Sequence, residues 1–135
     1  MLASSMHRSL LVFACAAVAL AQVKITQAPD RIAVQIGGQP YTTLFFGPDT
    51  VKPYLHPLRS ASGKIVTRRY PMEEVAGESR DHVHHRGLWF GHGDVNGYDF
   101  WVNEASEEGA KKGRIVLAKV VSLTGGNKDG GFSAI

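Results

Sequence analysis

Apolar and polar residues alternate along residues 23–27, and again at Ile32, Val34 and Ile36 after Pro29-Asp30. A period of two puts every second side chain on one face, the mark of a half-buried strand. Gly37-Gly38 then supplies a hairpin turn. Residues 41–46, rich in aromatic and β-branched side chains, predict a third strand. The pattern is a β-meander, ended by Gly47-Pro48-Asp49. Residues 51–59 are extended, since Pro53 and Pro57 forbid a helix. Ser62-Gly63 predicts a turn and residues 64–69 a short strand, while residues 71–79 and most of 80–87 read as loop. Residues 88–90 and 98–102 predict two more short strands, separated from the next by a polar loop or helical turn over 103–112. Residues 114–123 (RIVLAKVVSL) form the clearest strand pattern after the meander. A Gly/Asn/Asp turn region over 125–131 follows, and Phe132 opens another strand. No segment repeats its apolar residues at the roughly 3.6-residue helical period. The predicted class is all-β, antiparallel and sandwich-like, with long loops.

The first residues change the picture of where this domain works. His7 and Arg8 precede an uncharged run over residues 9–20 (SLLVFACAAVAL), which closes on Ala19-Leu20-Ala21. Positive charge, short apolar run and small-x-small site, in that order, predict a signal peptide over residues 1–21. The run is too short for a membrane anchor, which takes roughly 20 apolar residues. Lipidation at Cys15 fits poorly, because Phe13 and Ala14 precede it and the apolar run would be cut short. The expected location is periplasmic or extracellular, with no membrane association after cleavage. Cys15 is the only cysteine, so residues 22–135 must stand on a hydrophobic core or a metal rather than on disulfides. The chain stops at Ser133-Ala134-Ile135, in what reads as the beginning of a strand, so residues 22–135 are expected to be the N-terminal part of a longer single-domain sandwich.

Net charge is +3 for the whole chain, with basic and acidic residues interleaved. Neither nucleic acid nor an anionic membrane is therefore an expected partner. The chemistry concentrates elsewhere. Asp81-His82-Val83-His84-His85-Arg86-Gly87-Leu88-Trp89-Phe90-Gly91-His92-Gly93-Asp94 holds four of the six histidines. Imidazole titrates near neutrality and is the commonest metal ligand. In an extended segment His82 and His84 would share a face. His82, His84 and His92 are thus candidate ligands for a divalent metal, with an open position suited to Zn²⁺, Mn²⁺ or Fe²⁺. His82, His84, His85, Arg86 and His92 are the candidate catalytic groups. Trp89 and Trp101 offer ring faces, and Asp94 and Asn96 offer polar contacts, for a small-molecule or carbohydrate ligand. The rigid stretch Lys52-Pro53-Tyr54-Leu55-His56-Pro57-Leu58-Arg59 could add His56 and Arg59. The same residues also admit a structural role, with imidazoles satisfying loop backbone, aromatics as core and glycines permitting tight turns. Glu73, Glu74 and Glu78 read as a solvated loop. Neither a phosphate loop nor a Gly-x-Ser-x-Gly elbow is present.

The stretch 52–59, Tyr70-Pro71-Met72, the run 81–90 and Gly93-Asp94-Val95-Asn96-Gly97-Tyr98-Asp99-Phe100-Trp101 together resemble the secreted bacterial PmoA family, also labelled methane oxygenase PmoA, whose function is unknown. The resemblance is close over residues 41–101 and looser elsewhere, and Val83 stands where the family has proline. It implies a sugar-mutarotase-like supersandwich that accompanies carbohydrate-degrading machinery, and it transfers no catalytic residue.

Three readings follow. The first is an exported enzyme acting on a carbohydrate or sugar-derived molecule, with the histidines as acid/base groups or metal ligands. The second is a non-catalytic carbohydrate-binding module. The third is the oxygenase of the family label, with His-ligated copper or iron.

Overall fold

The computed structural model describes residues 22–102 and 111–135. The signal peptide expected over residues 1–21, and most of the polar loop expected over 103–112, lie outside the described residues. Within them the protein is all-β, with seven strands and no helix. A five-stranded antiparallel sheet runs in chain order through β1 (Val23–Ala28), β2 (Arg31–Ile36), β3 (Gln39–Phe45), β4 (Tyr54–Leu55) and β5 (Leu88–Trp89). A separate hairpin pairs β6 (Val120–Thr124) with β7 (Gly131–Ala134). Two antiparallel sheets of this kind are consistent with a sandwich-like fold.

The meander forms where the alternation predicts it. Gly37 and Gly38 both take left-handed backbone, with φ of 58° and 76°, as a two-residue hairpin turn requires. Directly opposed residues share a face of an antiparallel sheet. On one face Ile32, Leu44, Leu55 and Leu88 lie in a row across β2 to β5, and Ile32 is fully buried. On the other face the row is Arg31, Phe45, Tyr54 and Trp89, with the Phe45 and Tyr54 rings stacked 5.2 Å apart. This aromatic row leads into the histidine segment.

Three strand expectations do not hold in full. Residues 64–69 form no strand: Ile65 makes a single bridge to Arg59, around the Ser60–Lys64 turn. Residues 98–102 also form none, because Asp99 Oδ1 takes the backbone N–H groups of Trp101 and Val102 into a turn. In the third case the ladder of the 114–123 pattern begins only at Val120. Before that, Ile115 N–H reaches Val51 O and the Arg114 guanidinium holds the carbonyls of Pro48 and Thr50. The segment is extended but lies along a loop rather than a strand. A strand needs a partner edge, and alternation alone cannot supply one.

The hairpin joins the main sheet through one bridge, Val23 to Gly126, with N···O distances of 2.7 and 3.1 Å. A Cβ at Gly125 would lie 2.7 Å from Val23 O, so the approach needs glycine there.

Candidate functional site

The site is built on the β4–β5 pair. Lys52, Tyr54 and His56 alternate with less buried neighbours along an extended stretch, so all three point to one side and are buried. Tyr54 pairs with Trp89 and Leu55 with Leu88, which brings the histidine turn against β4. Gly87 makes this possible. Its φ is 68°, and a Cβ there would come 2.3 Å from Leu55 O.

The segment before Gly87 is a turn, not a strand. His82 has φ 49°, and His85 N–H donates to His82 O at 2.9 Å. The expectation that His82 and His84 share a face through extended geometry is therefore wrong in its reason. The turn still gathers three imidazoles. His82 and His85 stack 4.8 Å apart, and His84 meets His85 edge-on at 4.3 Å. His85 stacks on Trp89 at 5.7 Å and meets Trp101 edge-on at 6.1 Å, while the two indoles meet at 4.7 Å. His84 is the buried member of the three.

Behind this wall lies Lys52, fully buried, its Nζ 4.0 Å from the centroid of the Trp89 ring and donating to Trp101 O at 2.6 Å. A cation on an indole face is attracted by the ring quadrupole. Lys52 thus ties both indoles together. In front, Arg68, His85, Trp89, Phe90, Gly91 and Trp101 line an open cleft of about 450 Å³. Phe90 is 80% exposed at its rim, which leaves an aromatic face free for a ligand.

Trp101 is placed by the turn that follows β5. Asn96 and Gly97 both have positive φ, 56° and 82°, at the centre of a tight turn closed by Val95 and Tyr98. Asp94 Oδ1 accepts Gly97 N–H at 2.7 Å, and Asp99 Oδ1 accepts Trp101 N–H at 2.7 Å. Asp94 and Asn96, expected to touch ligand, shape this turn. Asp99, which sequence reasoning did not single out, orients the indole.

Electrostatics separate the groups. Asp81 is held down at about 2 by hydrogen bonds from Ser79 and His82, so it is ionised at neutral pH. Burial pushes His85 below the ordinary imidazole value, helped by the charges of His82, Arg68 and Lys52. His85 is the neutral imidazole on the cleft wall.

The remaining expected residues lie apart from this group. Arg86 sits over the Tyr54 ring at 5.6 Å and does not line the cleft. His92 is exposed, its Nδ1 accepting Asp94 N–H at 3.3 Å, with no ring contact to the other described histidines. Arg59 lines a different groove of about 630 Å³ with Gln39, Pro40 and Tyr41. His56 is buried with Nε2 3.4 Å from Glu73 Oε1, while Arg69 clamps that carboxylate at 2.6 and 2.8 Å. Glu78 accepts the backbone N–H groups of Arg69 and Tyr70, so Glu73 and Glu78 organise the loop rather than decorate it. Only Glu74, paired with Arg80 on the surface, fits the solvated reading.

For a divalent metal the donors do not converge. Among the described residues, no group of three or more His, Asp or Glu side chains is arranged to hold an ion. His92 points elsewhere, and the Asp81 carboxylate is engaged by His82 Nδ1 at 2.8 Å.

The family model for a family of unknown function (DUF6807) matches residues 31–134. The chain belongs to that family. The match spans β2 and β3 of the meander, the histidine turn and the β6–β7 hairpin, and the family's function is unknown. No curated protein and no solved structure matches the chain.

Proposed function

We propose that the cleft beside Trp89 and Trp101 binds a carbohydrate or sugar-derived molecule, on which His85 acts as a proton acceptor. The observation that carries this reading is a neutral imidazole lying against two crossed indoles in one open cleft. The negative faces of aromatic rings suit the C–H faces of a sugar. A neutral imidazole at working pH is the form that takes a proton. Export through the N-terminal segment, and kinship with the PmoA-labelled proteins, belong to the same reading. A metal-dependent oxygenase has less support, since the described donors do not converge.

Calorimetry and tryptophan fluorescence of the full-length protein against mono- and oligosaccharides test it. Sugars should quench the indoles, and Trp101→Ala should weaken binding about tenfold or more, which is about 1.4 kcal/mol. Binding without turnover at any pH would make the protein a non-catalytic carbohydrate-binding module. No binding by any sugar would overturn the reading.

A further inference from the structure

Arg68 lines the cleft, and its hydrogen bonds leave part of the guanidinium unused. Its Nη2 donates to Ser79 O at 3.0 Å and Asp81 O at 2.8 Å, with Asp81 Oδ1 at 3.5 Å. The Tyr70 ring lies 5.6 Å from its Cζ. These contacts set the plane of the group through one nitrogen. The Nε–H and the Nη1 hydrogens make no hydrogen bond to another described residue. A planar guanidinium fork matches the two oxygens of a carboxylate well.

The nearest acid does not satisfy it. Asp81 Oδ1 accepts Ser79 Oγ at 2.7 Å and Oδ2 faces His82 Nδ1 at 2.8 Å, so both oxygens are engaged by closer partners. Lys52 adds a second cation behind Trp89. At His85 the charges of His82, Arg68 and Lys52 all oppose a proton, against Asp81 alone favouring one. Burial is the main cause of the lowered His85 value, and the cations that add to it favour an anion in the cleft.

We propose that the ligand is an acidic sugar and that Arg68 reads its carboxylate. The ring of a hexuronate would stack on the Trp89–Trp101 wall while its carboxylate takes the free donors of Arg68. This rests on the sugar-cleft reading above and adds the charge of the substrate class. Arg68 is then the selectivity residue of the site, because a neutral sugar would leave those donors to water.

Calorimetric titration of the full-length protein with glucuronate and galacturonate, each beside glucose and galactose, tests this. The acids should bind about tenfold or more tighter than their neutral counterparts. Raising salt from about 0.05 to about 0.5 M should weaken only the acids, through screening. Arg68→Gln should weaken the acids far more than the neutral sugars and so abolish the preference, and Arg68→Lys should restore part of it. Equal affinity for acid and neutral sugars in the wild type overturns the role of Arg68 and leaves the cleft reading standing. A preference that survives in folded Arg68→Gln also overturns it, as does binding of none of the four sugars; if no oligosaccharide binds either, both readings fall. Arg68→Gln loses the ties to Ser79 and Asp81, so its melting is measured alongside. If it does not fold, the acid-to-neutral ratio and salt response of the native protein decide.

Discussion

His56 and His85 are two imidazoles in contrasting surroundings, and burial lowers the proton affinity of both. His56 is sealed in, only 4% exposed, facing a carboxylate that Arg69 holds. A carboxylate only accepts, so His56 Nε2 carries the proton, and its buried Nδ1 is an acceptor without a partner among the described residues. His85 is half-buried on a cleft wall, between two indoles and beside an arginine. Desolvation makes the same neutral base in both places. Access makes only one of them a site. A perturbed histidine is therefore half of a functional assignment, and an open face is the other half.

The sharpest way to break this contrast is by turnover. His85→Gln should lower turnover on an accepted sugar by about 10² to 10⁴ with the fold intact. His56→Gln should leave turnover per folded molecule near wild type. Equal losses in both variants, measured as kcat on folded protein, would erase the distinction. A second large effect concerns the wall itself. Lys52→Met removes the cation under Trp89 and the donor to Trp101 O, and should cost about 2 to 4 kcal/mol, a buried cation–π contact together with a charged hydrogen bond. Urea unfolding measures it, and a loss under about 1 kcal/mol would show that the indoles hold each other without the lysine.

Smaller effects sharpen the His56 side. His56→Ala strips Glu73 of a buried partner and should destabilise by about 1 to 3 kcal/mol, without a change in sugar affinity. Both histidines also set a pH window. Above the ordinary value of 6.5, each is neutral in folded and unfolded chains, and its contribution to stability is fully present. As pH falls below 6.5, the unfolded chain binds protons that the folded imidazoles refuse, and stability declines until pH passes the lowered folded values. Melting between pH 8 and pH 5, about the range where imidazoles titrate, should show this decline, and His56→Gln should flatten it. An unchanged slope in that variant would place the acid sensitivity elsewhere. The smallest effect is at the turn beyond β5. Asn96→Ala puts an ordinary side chain at φ 56° and should cost about 1 to 2 kcal/mol, whereas Asn96→Gly should be close to neutral in thermal melts.

The β-meander was legible in the sequence because its determinants are local. Alternation fixes which side of each strand is inward, and Gly37-Gly38 is one of the few kinds of pair that take left-handed backbone at both turn positions without strain. The histidine turn was legible as a concentration of chemistry, and its link to Trp89 and Trp101 was anticipated by composition. Its geometry was not, because the left-handed backbone at His82 ends any extended run there. Local pattern also overstated residues 64–69, 98–102 and 114–117, where the side chains suit a strand but only single bridges or bonds, not a continuous edge, lie beside them.

Two groups that make the cleft were beyond any local reading. Lys52 reaches Trp101 across 49 residues, and nothing in its own neighbourhood marks a lysine for full burial. Arg68 matters because the chain returns at Asp81 to take one of its nitrogens and leave the others, 13 residues on. Conversely, Arg59, His92 and Asn96 looked eligible by residue type and are carried elsewhere by the fold. What the sequence by itself determined is the all-β class, the turn positions and the stock of imidazole and indole groups, since each follows from residues within a few positions of one another. Which of those groups share a cleft depended on the β4–β5 pairing across a long loop, and only the tertiary structure brings β5 to that edge.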